Sequence, residues 1–381
     1  MLERKYMKYD YIVVGAGLAG ATAARLLADK GNTVLVMEKL PHLGGSVYDC
    51  YDGAGILIHK YGPHIFHTND KEVYDFLCRF ADFNGYSHKV VAQLRDGTVP
   101  VPFNCEGLRR IYGEEKAKRL TEALKEKYGT DTVSIMALRE SEDAELKALG
   151  EFVYENIFLY YTMKQWEKKP SEIDPRTPAR VPVRLSEDDR YFTDTYQGLP
   201  VNGYTEMVEN MLKSENITVK TGTSATLSLE NGKVKVNGEY TDARVVYTGE
   251  LDKLFGYCYG ALPYRTIDFV FETHSVDSYQ SHATVNYTVS EKFTRISEFK
   301  KMTLQKKDGV TTVMKEFSRA YDAEKGDIPY YPVANPESAE LYAKYLARAE
   351  EYPQIILLGR LAEYKYYNMD AVVRRVMNVI S

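Results

Sequence analysis

Several common devices are missing from this sequence. Its 381 residues include only four cysteines, Cys50, Cys78, Cys105 and Cys258, and no C-x-x-C pair. That argues against a disulfide framework, a thiolate zinc site or a dithiol redox centre, and it predicts a reducing compartment, the cytoplasm. No apolar run approaches the roughly 20 residues that a membrane helix requires. The first such run is broken by Gly15, Gly17 and Gly20 and follows the charged stretch MLERKYMKYD, so neither a signal peptide nor a membrane span is expected. Residues 1–6 read as an extension ahead of a first strand that begins near Tyr9. An excess of positive charge is absent as well. The net charge of −5 gives no general attraction to nucleic acid or to an anionic membrane, so an anionic ligand must be held by individually placed cations. Tryptophan occurs once, as Trp166, whereas tyrosine occurs 32 times.

What remains is an ordinary soluble composition, 44% hydrophobic and 27% charged. At about 150 residues per domain the chain holds two or three domains. The stretch YDYIVVGAGLAGATAARLLADKGNTVLVMEK reads as strand (Ile12–Val14), glycine turn, helix (Ala21–Ala28, ended by Gly31) and strand (Val34–Met37). Gly15-x-Gly17-x-x-Gly20 lies between the first strand and the helix, and Glu38 ends the second strand. This arrangement lets backbone amides approach a pyrophosphate at a helix N-terminus while the acid accepts ribose hydroxyls. Gly44-Gly45 after the second strand and Gly359-Arg360 near the C-terminus favour FAD over NAD, and the chain has no second G-x-G-x-x-G for a nicotinamide domain. His59, His64 and His67 have no cysteine or acid at ligand spacing, so no metal is expected and the histidines are assigned to the flavin wall.

Further along, Asp70–Phe80 reads as a helix, and VVAQLRDGTVPVPF as a hairpin around Asp-Gly. Residues 105–168 read as mainly helical, with Leu120, Leu124 and Tyr128 on one face, Gly129 as a stop and Ser141 as the N-cap of a longer helix. In that helix Leu146, Leu149, Val153, Ile157 and Tyr160 make a core stripe, and Tyr154, Phe158, Tyr161 and Gln165 a second line; Lys168, Lys169 and Pro170 should end it. Beyond about residue 180 the pattern becomes short strands with Asn-Gly and Asp-Gly turns, which predicts an antiparallel sheet. The last segment reads as strand, glycine turn and helix, and should complete the first domain.

The stretches HKYGPHIFHTND, YYTMKQW, ARVPVR, YFTDTYQGLPVNGYTEM, FTRISEF, PYYPV and GRLAEYKYYNM resemble, in order and approximate spacing, the bacterial UDP-galactopyranose mutases, from about Tyr9 to the C-terminus. The resemblance implies an α/β plus α+β fold: a Rossmann-like FAD-binding domain, a helical domain and an antiparallel β-sheet domain around a central cleft. The expected boundaries are 7–80, 200–260 and 350–381 for the discontinuous FAD domain and 105–170 for the helical substrate domain. The sheet domain takes 86–104, 171–199 and 261–349. The implied reaction interconverts UDP-galactopyranose and UDP-galactofuranose without net redox change, with N5 of reduced FAD attacking the anomeric carbon. An external reductant and a homodimer are implied too.

By motif position the resemblance assigns Arg180 and Arg295 to the diphosphate and places His64 and His67 beside the isoalloxazine; these four form the catalytic set. Tyr161 would stack on uracil, Trp166 would floor the cleft, and Tyr191, Tyr331 and Tyr366 would donate phenol hydrogen bonds to phosphate. Phe158, Thr162, Asn84, Asn286 and Asn368 complete the substrate set. Arg360 would face the FAD pyrophosphate, and the other cofactor residues are Gly15, Gly17, Leu18, Gly20, Glu38, Lys39, Gly44, Gly45, Tyr61, Gly62, His64, Gly359 and Met369. Three departures stand out: Asn368 where the family usually has Asp, Glu167 where Gly is common, and Asn202 where a second Gly is frequent. Two other readings share the glycine fingerprint. One is an FAD-dependent oxidase or desaturase of the amine-oxidase type, which would present an apolar funnel in place of arginines and phenols. The other is a non-catalytic nucleotide-sugar-binding homologue with Asn368 as its lesion.

Overall fold

In the computed structural model, residues 9–167, 169, 182–289 and 291–380 are described. A five-stranded parallel sheet has the order Ile217–Lys220, Val34–Met37, Tyr11–Val14, Arg244–Tyr247, Ile355–Leu357. Its strands are short and apolar, as strands covered on both faces must be. One face packs on the helices Leu18–Asp29, Tyr204–Leu212 and Met369–Ile380 around Val13, Val36, Met211 and Val376. The other face is covered by a three-stranded meander, Leu227–Glu230, Lys233–Val236 and Glu239–Tyr240, through Val234 and Val236. The C-terminal strand and helix thus complete the sheet begun by the glycine fingerprint.

A second sheet has seven strands, in the order Tyr331–Pro332, Tyr264–His274, Thr311–Ala320, Arg295–Glu298, Thr284–Tyr287, Val90–Leu94, Gly97–Val101. Its neighbours are antiparallel apart from Thr284–Tyr287 beside Val90–Leu94, which run parallel. A helical layer over Cys105–Trp166 docks against its Val90–Val101 end, sharing a core of Val90, Val101, Leu108, Leu124, Leu149 and Val153. Among the described residues no helix is long and apolar enough to cross a membrane.

The departures from sequence expectation are local. Leu94 pairs with Gly97, so the hairpin loop is Arg95-Asp96 and Gly97, at φ +139°, opens the return strand. Asp143, not Ser141, caps the helix Ala144–Val153, accepting the amides of Glu145 and Leu146; Ser141 lies outside it and accepts the Asp143 amide. A carboxylate is the better acceptor at a positive helix end. Within 171–199, Val183–Arg184 pairs with Thr132–Val133 and Tyr196–Gly198 with Phe66–Thr68; neither joins the seven-stranded sheet.

The most consequential departure is a turn of π-helix over Tyr154–Leu159 between the α-helices Ala144–Val153 and Tyr160–Trp166. A π turn holds one extra residue and rotates the helix beyond it. Leu146, Leu149, Val153 and Ile157 are buried as the stripe predicts, but Tyr160, its last member, is 42% exposed. The helix stops at Trp166, with Glu167 as a left-handed cap at φ +51°. Lys169 follows that cap, while Lys168 and Pro170, expected to end the helix, lie outside the described residues.

Candidate active site

Between the parallel sheet, the seven-stranded sheet and the π-bulged helix lies a cavity of about 510 Å³. One wall is a single row across three strands. Asn286 pairs with Arg295, and Arg295 with Glu316, so their side chains share a face. The row continues to Phe269 opposite Glu316, and all four line the cavity. Arg295 Nε donates to Glu316 Oε1 at 2.7 Å, and the Glu316 side chain is buried. Burial opposes the Arg295 charge, but Glu316 outweighs it and the guanidinium stays protonated. Both terminal nitrogens are without a partner among the described residues, a fork suited to an anion.

The opposite wall is the π-bulged helix. From it Phe158, Tyr161, Thr162, Gln165 and Trp166 line the cavity, while Tyr160 faces out. Tyr161, Tyr191 and Tyr331 have phenol pKa values pushed up, mainly by burial, so they remain protonated donors. The Arg360 guanidinium lies over the Tyr331 and Tyr366 rings, 5.6 and 5.0 Å from their centroids. Its terminal nitrogens donate to the carbonyls of Tyr330 and Tyr367, so Arg360 braces this aromatic corner.

A third side carries the histidines. His67 Nδ1 meets Asp194 Oδ2 at 2.9 Å, and its ring stacks on Phe192 at 3.6 Å. His64 Nδ1 lies 2.7 Å from the Gly62 carbonyl, and the His64 amide donates to His59 Nδ1. His59 is itself buried. Burial lowers His64 to about 3, with His59 and Arg360 adding to the effect. A neutral His64 adds no positive charge to the cavity. Among the described residues no group of three or more metal-ligating side chains is present.

The sites named from sequence mostly converge. His64, His67, Phe158, Tyr161, Thr162, Trp166, Tyr191, Asn286, Arg295, Tyr331, Tyr366, Asn368, Tyr61, Gly62, Arg360 and Met369 all line the cavity. Asn84 does not: its amide donates to the Met302 carbonyl and accepts the amides of Tyr86 and Leu199, a loop brace with no reach to spare. Arg180 lies outside the described residues. Sequence reasoning missed His88, Phe192, Tyr330 and Glu316. Phe192 and Tyr330 lie within the quoted stretches YFTDTYQGLPVNGYTEM and PYYPV, and the alternation of TTVMKEF places Glu316 on the face opposite Lys315.

The glycine turn sits at the end of strand Tyr11–Val14. A Cβ on Gly20 would lie 2.0 Å from the Gly15 carbonyl oxygen, and one on Gly45 2.9 Å from Gly17 Cα. The helix that starts at Leu18 has no side-chain cap and no acid in its first turn, which leaves its first amides for an anion. Gly359, at φ +93°, closes against Ala19 at the same helix start. Glu38 differs in detail from expectation. Its oxygens accept the Ala16 and Leu40 amides at 2.7 and 2.9 Å, bracing the turn and keeping one lone pair each for a ribose. Leu18 packs into the core and Lys39 is exposed beside the turn. An uncapped helix start, close-packed glycines and a buried acid fit the pyrophosphate and ribose of FAD.

Fold and site together define a Rossmann-type dinucleotide-binding protein with a tyrosine-lined cavity that carries Arg295 and Arg360. Known proteins narrow this class. A family model described as "NAD(P)-binding Rossmann-like domain" matches residues 13–80, and that of UDP-galactopyranose mutase matches residues 156–366. The chain is 34% identical over 376 residues to UDP-galactopyranose mutase of Mycoplasma pneumoniae, covering 96% of this chain and 94% of the relative. It is 33% identical over 368 residues to dTDP-fucopyranose mutase of Escherichia coli, covering 96% of each. A crystal structure of reduced UDP-galactopyranose mutase superposes with a TM-score of 0.71 at 17% identity, over 98% of this chain and 94% of that one. The chain belongs to the UDP-galactopyranose mutase family, whose cofactor is FAD.

Proposed function

We propose that this protein interconverts UDP-galactopyranose and UDP-galactofuranose, with FAD in its reduced form and no net redox change. The observation that carries the reading is the Asn286–Arg295–Glu316 row facing the Tyr161 helix across one cavity. Ring contraction requires the anomeric C1–O bond to UDP to break and reform, so the leaving diphosphate needs a fixed cation while the uracil stays anchored. The free fork of Arg295 takes the diphosphate, and Arg180, by motif position, is the second cation. Tyr191, Tyr331 and Tyr366 donate phenol protons to phosphate oxygens, Tyr161 stacks on the base, and Trp166 lies under the sugar. Bound reduced flavin would supply the nucleophile for C1, and the His64 and His67 side forms its wall. Asn368 keeps hydrogen-bonding capacity without charge. An external reductant, a homodimer and a cytoplasmic location complete the reading.

The test is conversion of UDP-galactofuranose to UDP-galactopyranose, with and without dithionite, resolved by anion exchange. The expected outcome is conversion only under reduction. The fucopyranose relative favours one second reading, a dTDP-6-deoxysugar substrate, so dTDP-fucofuranose is assayed alongside and preferential turnover of it would replace the galactose assignment. Bound FAD and UDP with no turnover of either would identify a binding homologue, and Asn368→Asp would then be examined for restored activity.

A further inference from the structure

Lys164 belongs to the YYTMKQW stretch, yet none of the roles above uses it. Its neighbours Tyr161, Thr162, Gln165 and Trp166 line the cavity, and Lys164 does not. Its ammonium points instead at the connection between strands Thr284–Tyr287 and Arg295–Glu298. There it donates to three main-chain carbonyls: Tyr287, Glu291 at 3.0 Å and Phe293 at 3.2 Å. An ammonium has three N–H donors, and all of them are spent on one loop. Burial lowers Lys164 to about 8, against which Glu291 acts, so it is charged at neutral pH.

The two strands joined by that loop carry Asn286 and Arg295. Glu316 fixes Arg295 from within the sheet at 2.7 Å, and Lys164 fixes the same hairpin from the helix side. The same last turn of the helix is tied to a second strand, where Ser318 Oγ donates to the Gln165 carbonyl at 2.8 Å. The base platform and the diphosphate fork therefore belong to different elements, and Lys164 spans the gap between them.

We propose that Lys164 is a positioning residue that sets the distance between the Tyr161–Trp166 platform and the Asn286–Arg295 hairpin, so that both ends of a nucleoside diphosphate sugar are gripped at once. This rests on the functional reading above. Lys164→Met keeps the aliphatic stem and removes every donor. The expected result is about a 10-fold weaker UDP affinity by calorimetry, a matching rise in KM for UDP-galactofuranose and a smaller change in kcat, with FAD content unchanged. Lys164→Arg, which keeps the charge and part of the donor set, should recover much of the loss.

A coupling cycle separates positioning from general support. In an Arg295→Ala background the effect of Lys164→Met on UDP affinity should largely vanish, because the fork it positions is gone. Unchanged UDP affinity in Lys164→Met, or the same loss in both backgrounds, overturns the proposal. If Lys164→Met yields no soluble flavoprotein, Lys164→Gln takes its place in the same cycle under the same criteria. No UDP binding by the unsubstituted protein would overturn the functional reading, and this inference with it.

Discussion

Replacing Glu167 by glycine should destabilise the protein, although the site's backbone favours glycine. Glu167 sits at φ +51°, a region that costs a non-glycine residue about 1 kcal/mol. Relief of that strain is largely offset by the extra chain entropy that glycine loses on folding, about 0.5–1 kcal/mol. The side chain then decides the sign. Glu167 Oε2 accepts Arg265 Nη1 at 2.9 Å and the Ala320 amide at 2.8 Å. The Arg265 side chain is only 8% exposed and its Nε is already buried without a partner, whereas the Glu167 side chain is 52% exposed. Hydrogen bonds to charged groups contribute about 1.5–3 kcal/mol, reduced here by the solvent around the carboxylate, which leaves a net loss of about 1–2 kcal/mol. Urea denaturation of FAD-loaded Glu167→Gly, followed by flavin fluorescence, should show a lower midpoint at an unchanged slope. Glu167→Gln, which keeps the strain and loses the charge, should fall in the same direction. A glycine variant as stable as the parent, or more so, would refute the reasoning and show that backbone strain outweighs the lost hydrogen bonds.

Other consequences are open to direct measurement. Gly20→Ala should abolish FAD retention, read as flavin absorbance after gel filtration, because its Cβ would lie 2.0 Å from the Gly15 carbonyl oxygen with only backbone to yield. Glu316→Ala removes the buried carboxylate that fixes the half-buried Arg295 in place, and misplacing that fork should lower kcat/KM for UDP-galactofuranose by about 100-fold; retained activity would deny Arg295 its fixed geometry. Acid should weaken the fold early. Burial lowers His59 to about 4 and both His64 and His88 to about 3, so below the ordinary histidine value of 6.5 the unfolded chain binds protons that the folded one refuses. Stability from these groups is full above about pH 6.5 and is lost as pH falls toward 3–4. The urea midpoint should therefore drop between pH 7 and pH 5, and His59→Gln should shrink that drop.

The elements most legible in the sequence were those fixed by local chemistry. Strand Val34–Met37 has the expected bounds, the glycine fingerprint sits between strand and helix, and Gly129 is the left-handed stop of its helix. Motif order also brought most of the named side chains to one cavity. The failures share a cause, since each depends on partners distant in sequence or on a change of helical period. The Arg295–Glu316 pair exists because two strands meet in one register, and single-strand alternation carries no register. Asn84 has the residue type of a ligand contact, but its amide is used up by backbone groups of remote segments. The π turn leaves no break in the apolar stripe, so the pattern alone places Tyr160 in the core although it faces out.

The interleaving of the parallel sheet has a consequence for biogenesis. Strand Ile355–Leu357 and helix Met369–Ile380 belong to the same layer as the glycine turn near residue 15, and Gly359 closes directly on that turn. During synthesis the first βαβ unit emerges hundreds of residues before its last neighbours, with the far edge of its sheet open. The cradle around the glycine turn is complete only once almost the whole chain has been delivered. A nascent chain stalled before residue 355 would offer the quality-control machinery an unpaired strand edge and an unfilled nucleotide cradle.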